Sequence, residues 1–313
     1  MVLLWIGLGI VALLTIATLI VSFICYRMAF YVKEKECWGP DEYPIPQGLV
    51  YEPFREPMEE WIRQTRAMPH EKVSITSFDG LTLRGKFFEF APGAPIEIMF
   101  PGYRGNAERD MCGGAQRCFA LGHSALIVNQ RSCVDSDGNV ITFGIRESRD
   151  CLDWVDFTIR KFGPEVKIYL TGISMGAATV MNAAGEKLPE NVVGVLADCG
   201  FNSPRDIIQK VIVDMKMPPR LSYPFVKLGA RIFGGFNLEE KSPQEALKRC
   251  KVPVIFFHGD TDDYVPCWMS QVNYDCCASE KKLVIIPGAG HGLSCMLDRE
   301  GYMSALRQFW NIT

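Results

Sequence analysis

Gly172-Ile173-Ser174-Met175-Gly176 sets a serine between two glycines, directly after the apolar run Lys167–Thr171 and before the small-residue stretch Ala177–Val180. A nucleophile elbow needs that setting, in which a strand turns sharply into a helix and leaves the hydroxyl exposed at the bend. The flanking glycines leave room where a nearby Cβ would not fit, and the helix N-terminus behind the serine favours developing negative charge. A serine hydroxyl is a weak nucleophile until an oriented base takes its proton. Only 4 histidines compete for that role. His70 in a polar lead-in and His123 after Gly122 read as surface or packing residues, and His258, ending an apolar run, reads as structural. His291, in Gly288-Ala-Gly-His-Gly292, follows the last apolar run on a glycine-rich loop, the place where parallel sheets gather catalytic groups. For the orienting acid, Asp260, Asp262 and Asp263 share the loop after His258, while Asp198 ends the preceding run. The chain order serine, aspartate, histidine, with the acid on the strand before the base, favours the loop and leaves its three aspartates open.

These groups need a scaffold that carries them at one edge. Two strand-like runs, Val73–Ser77 and Leu83–Phe90, flank Phe78-Asp79-Gly80, whose Asp-Gly step suits a hairpin. Beyond residue 95, short apolar runs alternate with helix-like stretches. The runs are Ile96–Phe100, Ala125–Asn129, Lys167–Thr171, Val193–Ala197, Val254–Phe257 and Leu283–Ile286; Glu147–Phe162 and Ala177–Lys187 are the clearest helices. Strands alternating with helices predict a parallel sheet covered on both faces. The gap from Phe201 to Lys251 breaks the rhythm and predicts a helical excursion over the sheet's carboxyl edge that forms a lid and shapes the substrate pocket. Within it, the apolar face around Tyr223–Gly234, with Lys227 and Arg231 between, is expected to pack on the sheet.

The chain has 313 residues, 48% of them hydrophobic, with a net charge of −3 and no basic stripe, which argues against a nucleic-acid partner. Its opening, Met1 to Tyr26, carries no charged side chain. As a helix, Val2–Cys25 would span about 36 Å, enough for a bilayer core of about 30 Å. A secretory signal peptide would begin with a basic residue and end at a small-residue cleavage site, whereas this segment ends in Phe23, Ile24 and Tyr26. Residues 1–26 are therefore predicted to be an uncleaved membrane anchor, in contact with lipid through residues 2–25. That excludes a phosphate-binding role for Gly7-Leu8-Gly9. Residues 27–70 are predicted as a connector with an amphipathic helix near Phe54–Arg66, and 71–313 as the main domain with its insert at about 201–250. The 12 cysteines include the adjacent Cys276 and Cys277 and several in core runs, with neither a CxxC pair nor zinc-ligand spacing. They read as mostly reduced thiols rather than a disulfide framework.

Taken together, the chain resembles the α/β-hydrolase superfamily, specifically small-cap bacterial serine esterases and S9/S33 peptidase-like hydrolases. Ser77–Leu83, Phe100-Pro-Gly-Tyr-Arg-Gly-Asn106, Ile141–Asp150, GISMG, His258-Gly-Asp-Thr-Asp-Asp-Tyr-Val-Pro266 and GAGHG match in order across residues 70–313. The resemblance implies an α/β fold with a mostly parallel, eight-stranded-type sheet, helices on both faces and a small helical cap, to which this chain adds one transmembrane helix. It places the acid on Asp262 and the oxyanion-hole donors on the backbone N–H groups of Tyr103 and Met175. Two departures stand out: Pro101 replaces a usual His-Gly, and Arg131-Ser-Cys-Val134 replaces a common Arg-x-His-Gly.

The implied chemistry is acyl transfer from Ser174 to water through an acyl-enzyme, with no metal or organic cofactor required. The expected function is membrane-tethered carboxylic-ester hydrolysis of a small-molecule or lipid acyl substrate. A peptidase or a lipid or protein thioesterase on the same residues is the alternative, and a noncatalytic scaffold the lesser one. Arg27, Lys33 and Lys35 lie just after the span, while only the α-amino group precedes it. The main domain should then face the cytoplasm. The lone sequon Asn311-Ile-Thr313, at the very end, reads as accidental.

Overall fold

The computed structural model describes residues 1–35 and 38–312, so Cys37, Glu36 and the Thr313 end of the sequon lie outside the described residues. Among the described residues, eight strands form one sheet in the order β1-β2-β4-β3-β5-β6-β7-β8. In chain order these are β1 (Glu71–Thr76), β2 (Thr82–Phe88), β3 (Ile96–Phe100), β4 (Ser124–Val128), β5 (Ile168–Ile173), β6 (Val192–Asp198), β7 (Val254–Gly259) and β8 (Lys281–Ile286). The β1–β2 hairpin and the β2–β4 pair are antiparallel, and every later pairing is parallel. The alternating burial of β1 and β2 against the unbroken burial of β3 and β4 shows why the first runs read as a half-exposed hairpin and the later ones as covered on both sides.

Among the described residues, twelve α-helices accompany the sheet. Before the strands come α1 (Val2–Ala29) and α2 (Arg55–Ala67). Along the first half of the sheet lie α3 (Ala107–Asp110), α4 (Gly114–Ala120), α5 (Glu147–Phe162) and α6 (Met175–Ala184). The stretch after β6 holds α7 (Pro204–Asp214), α8 (Pro219–Ile232) and α9 (Pro243–Leu247), and the chain closes with α10 (Trp268–Cys276), α11 (Ser294–Leu297) and α12 (Arg299–Trp310). The expected helix at Glu147–Phe162 has those bounds, and the one expected at Ala177–Lys187 begins two residues earlier and stops at Ala184. Eleven cysteines among the described residues are free thiols.

One feature differs from the sequence expectation. The apolar face of α8 packs on α1 rather than on the sheet. A Cβ at Gly229 would overlap the Ser22 carbonyl and stand 3.2 Å from Tyr26, so the two backbones touch. Ser22, Tyr26 and Phe30 are buried there, and Phe30 sits edge-on between Phe143 and Phe236 at ring distances of 5.6 and 5.2 Å. The tail of α1 thus shares a core with the cap helices and with the start of α6. Periodicity showed that α8 owns an apolar face but not which neighbour covers it. In the connector, the helix expected near Phe54–Arg66 is α2, which buries Met58 and Ile62, and Gly113 at φ +75° lies so close to the Trp61 ring that a Cβ would overlap it.

The α1–α8 contact generates a prediction. Gly229→Val should wedge the helices apart and cost about 1–3 kcal/mol, the usual penalty for overpacking, lowering the melting temperature of the detergent-solubilised chain by several degrees. An unchanged melting temperature would show that this contact does not hold in solution.

Candidate active site

β5 ends one residue before Ser174, which has φ 55° and ψ −117° and caps α6. That backbone is strained for a residue with a Cβ, and the surroundings enforce it. The Ser174 N–H donates to the Asp198 carbonyl at 2.8 Å on neighbouring β6. A Cβ at Gly172 would overlap the Gly176 backbone, and one at Gly176 would overlap the carbonyls of Phe100 and Pro101. Only glycine at both positions lets β5 turn into α6 this tightly against the end of β3.

The structure brings Ser174, His291 and Asp262 together. His291 Nε2 lies 2.9 Å from Ser174 Oγ, and its Nδ1 lies 2.7 Å from Asp262 Oδ2. Asp262 Oδ1 accepts the backbone N–H groups of Tyr264 and Val265 at 3.0 and 2.8 Å, so the carboxylate is fixed from both sides. Burial opposes its ionisation, but hydrogen bonds and charge from His258 and His291 outweigh burial and hold the carboxyl well below the usual carboxylate range. His258, fully buried, bonds Ser270 Oγ and the Val265 carbonyl and lies 3.2 Å from Asp262. It braces the loop that carries Asp262.

The other aspartates take different places. Asp260 accepts the Gly288 N–H at 2.6 Å and ties together the loops after β7 and β8. Asp198 accepts from Ser294 Oγ at 3.0 Å and Tyr302 Oη at 3.1 Å. Burial raises its carboxyl to about 6 against those bonds. Among the remaining histidines, His123 is buried against Tyr169 and bonds Glu97 at 3.0 Å, while His70 is exposed.

Tyr103 lines the same cavity as Ser174, and Met175 follows Ser174 in the chain. Met175 opens α6, where the first N–H groups have no partner within the helix. The loop after β3 runs beside the serine, and a Cβ at Gly102 would stand 3.7 Å from Ser174 Oγ. That loop is pinned from below, since Gly102 N–H donates to Asp110 Oδ2 at 2.8 Å and Gln130 bonds the Pro101 carbonyl. Arg131, in the stretch that departs from the common pattern, is buried between Asp150 at 2.6 Å and Asp79 at 2.9 Å. It locks the β1–β2 turn to α5.

A cavity of about 350 Å³ opens on Ser174 and His291, at the small end of the roughly 300–1,000 Å³ range of ligand pockets. Its walls include Tyr51, Met58 and Trp61 from the connector, Met111 from the end of α3, and Met296 beyond His291. Among the described residues, none from 201–250 lines it, so the insert does not shape this pocket as expected. The connector does, because Tyr51 Oη donates to the His291 carbonyl at 3.0 Å and draws the segment over the site. Burial, with the negative charge of neighbours such as Asp262, pushes the Tyr51 hydroxyl far up, so it remains a donor. Composition gave no signal for this role. Cys199, Asp262 and His291 could present a metal with donor atoms within 4.8 Å of one another, but burial keeps the Cys199 thiol protonated and the other two are engaged with each other.

No protein-family model matches the chain. It is 26% identical over 190 residues to the uncharacterised protein YqkD of Bacillus subtilis, a match spanning 60% of this chain and 62% of that protein. The esterase Pf2001 of Pyrococcus furiosus superposes with a TM-score of 0.64 at 20% identity, covering 89% of this chain and 98% of the esterase. An acylaminoacyl peptidase of Pyrococcus horikoshii gives a TM-score of 0.58 at 17% identity, covering 79% of this chain and 42% of the peptidase. The chain has the α/β-hydrolase fold, with one additional apolar helix at its N-terminus.

Asp198 generates a prediction about stability. Its carboxyl stands near 6 when folded and at about 3.9 when unfolded, so the folded chain binds this proton more tightly. The resulting stabilisation is complete below about pH 4 and is lost as pH rises through 6, amounting to about 3 kcal/mol. Asp198→Asn should flatten that decline in denaturant titrations run between pH 4 and 6. A pH profile parallel to the wild type would contradict it.

Proposed function

We propose that this chain is a membrane-anchored serine hydrolase that cleaves carboxylic esters through an acyl-enzyme intermediate. The observation that carries the reading is the unbroken relay from Ser174 Oγ through His291 to Asp262, at 2.9 and 2.7 Å, beside a cavity of about 350 Å³. In this mechanism His291 takes the Ser174 proton as the hydroxyl attacks the acyl carbonyl. Asp262 holds Nδ1–H, fixes the productive tautomer and balances the imidazolium. The oxyanion is met by the N–H groups of Tyr103 and Met175, which need no reorganisation as charge develops. His291 then protonates the leaving group, and water repeats the sequence on the acyl-enzyme. The Met-lined wall suits an acyl chain of modest length.

The membrane part of the reading rests on α1. The helix has 28 residues, and its residues Val2 to Leu14 are exposed almost all round, an apolar surface that water does not tolerate. The stretch ahead of Ser22, where burial against the cap begins, is about 30 Å long, the thickness of a hydrocarbon core. Burial of Ser22, Tyr26 and Phe30 within the domain favours a retained anchor over a cleaved leader. Arg27, Lys33 and Lys35 favour a cytoplasmic domain.

Ser174→Ala should abolish fluorophosphonate labelling and lower ester turnover by about 10⁵–10⁶-fold; retained labelling would refute the assignment. A p-nitrophenyl ester panel of rising chain length, run beside a thioester and an aminoacyl amide, decides the bond cleaved. Asp262→Asn should cost about 10⁴-fold in kcat, the scale of losing the correct tautomer, while Asp198→Asn should cost less than about tenfold. Equal losses at the two positions would move the acid. For topology, a membrane-impermeant maleimide should label the free thiols only after cell lysis, and strong labelling of intact cells would place the domain outside.

A further inference from the structure

The loop that carries Tyr103 is held by the end of the membrane helix. The last carbonyls of any helix lack partners within it, and here they are claimed by the loop after β3. Tyr103 Oη donates to the Ala29 carbonyl at 2.8 Å. Arg104 donates to the Met28 carbonyl at 2.9 Å and to the Tyr31 carbonyl at 3.1 Å. A guanidinium at a helix C-terminus also answers the negative end of the helix dipole. Arg104 adopts φ 50°, a left-handed conformation that an arginine keeps only when its surroundings impose it.

The helix end is itself immobilised on the domain. The Phe30 carbonyl accepts the Ile141 N–H at 2.8 Å, and Val32 N–H donates to the Asn139 carbonyl at 2.9 Å. Phe30 is fully buried, and Tyr103 packs on Phe143, the ring that also meets Phe30. One side of the loop is thus fastened to α3 through Asp110 and to the segment after β4 through Gln130, and the other to α1.

We infer that the C-terminal end of α1 is a positioning element of the active site, with Arg104 and the Tyr103 hydroxyl as the tethers that hold the Tyr103 backbone N–H toward the developing oxyanion. The membrane anchor is then part of the catalytic apparatus, and displacement of its last turn from the domain withdraws a donor from the transition state. This inference rests on the proposed role of the Tyr103 N–H.

The test uses the full-length chain in detergent micelles with a short p-nitrophenyl ester. Tyr103→Phe keeps the backbone donor and removes only the hydroxyl tether, and Arg104→Ala removes the guanidinium tether. Loss of one oxyanion donor costs about 10²–10³ in kcat, so loosening one tether should lower kcat by about tenfold, and both together by about 10²-fold, with KM changed less than about twofold. Activity is expressed per fluorophosphonate-labelled serine, which removes any loss caused by unfolded protein. Arg104→Lys, which still reaches one carbonyl, should recover most of the loss. Wild-type kcat per labelled serine in both single variants overturns the inference, as does a loss confined to the labelled fraction. If Ser174→Ala still labels, the hydrolase reading itself fails; if it does not label while the tether variants turn over normally, only the tethering fails.

Discussion

The site depends on one close approach. The backbone of Gly176 sits so near the carbonyls of Phe100 and Pro101 that no side-chain atom fits between them. That contact brings the start of α6 against the end of β3, so the strained serine and the loop bearing Tyr103 share one corner of the sheet. Strain at Ser174 on the order of 1–3 kcal/mol persists only because the surrounding packing determines it. The buried strands on either side, β3 and β6, supply that packing.

The same sheet edge receives the other two groups. β7 and β8 are parallel neighbours, so the loops leaving their carboxyl ends emerge side by side. Asp260 and the two N–H donors to Asp262 stiffen those loops locally. Deeper in the sheet, Glu97 is buried with Arg117 at 2.6 Å, with His123 and with Thr171, a polar cluster beneath the end of β5. Such a network is costly if half made and rigid when complete; here each carboxylate oxygen of Glu97 has a partner.

Two segments that look peripheral in the chain are built into this arrangement. The connector reaches back through Tyr51 to the His291 carbonyl and walls the cavity with Trp61. The apolar N-terminal helix ends in the cap, and its final carbonyls meet the loop after β3. The three-helix insert, by contrast, packs over Met175 and Ala178 and against α1, away from the cavity walls. Its structural partner is therefore α1 more than the pocket.

Much of this was open to reading from residue order. Glycines at 172 and 176 announce a turn that nothing larger can make, and the alternation of short apolar runs with 3.6-period stretches announces a covered parallel sheet, because both patterns are set by local backbone and burial physics. Within the aspartate loop, local signals did not separate Asp260, Asp262 and Asp263, since each is an ordinary turn residue by type; only the register of β7 against β8 puts Asp262 beside His291 and Asp260 beneath Gly288. The partner of an apolar face is equally invisible along the chain. Tyr223, Val226 and Gly229 mark a stripe on α8, but the stripe is the same whether it covers a sheet or another helix. Tyr51 and Arg104 carry no periodicity at all, and their contacts join residues 240 and 76 positions away. The sequence alone thus determined which groups can react and what kind of sheet carries them, because those properties are local. The carboxylate beside His291, the walls of the cavity and the tie between α1 and the loop after β3 were decided by tertiary structure, because they arise only when distant segments are packed against one another.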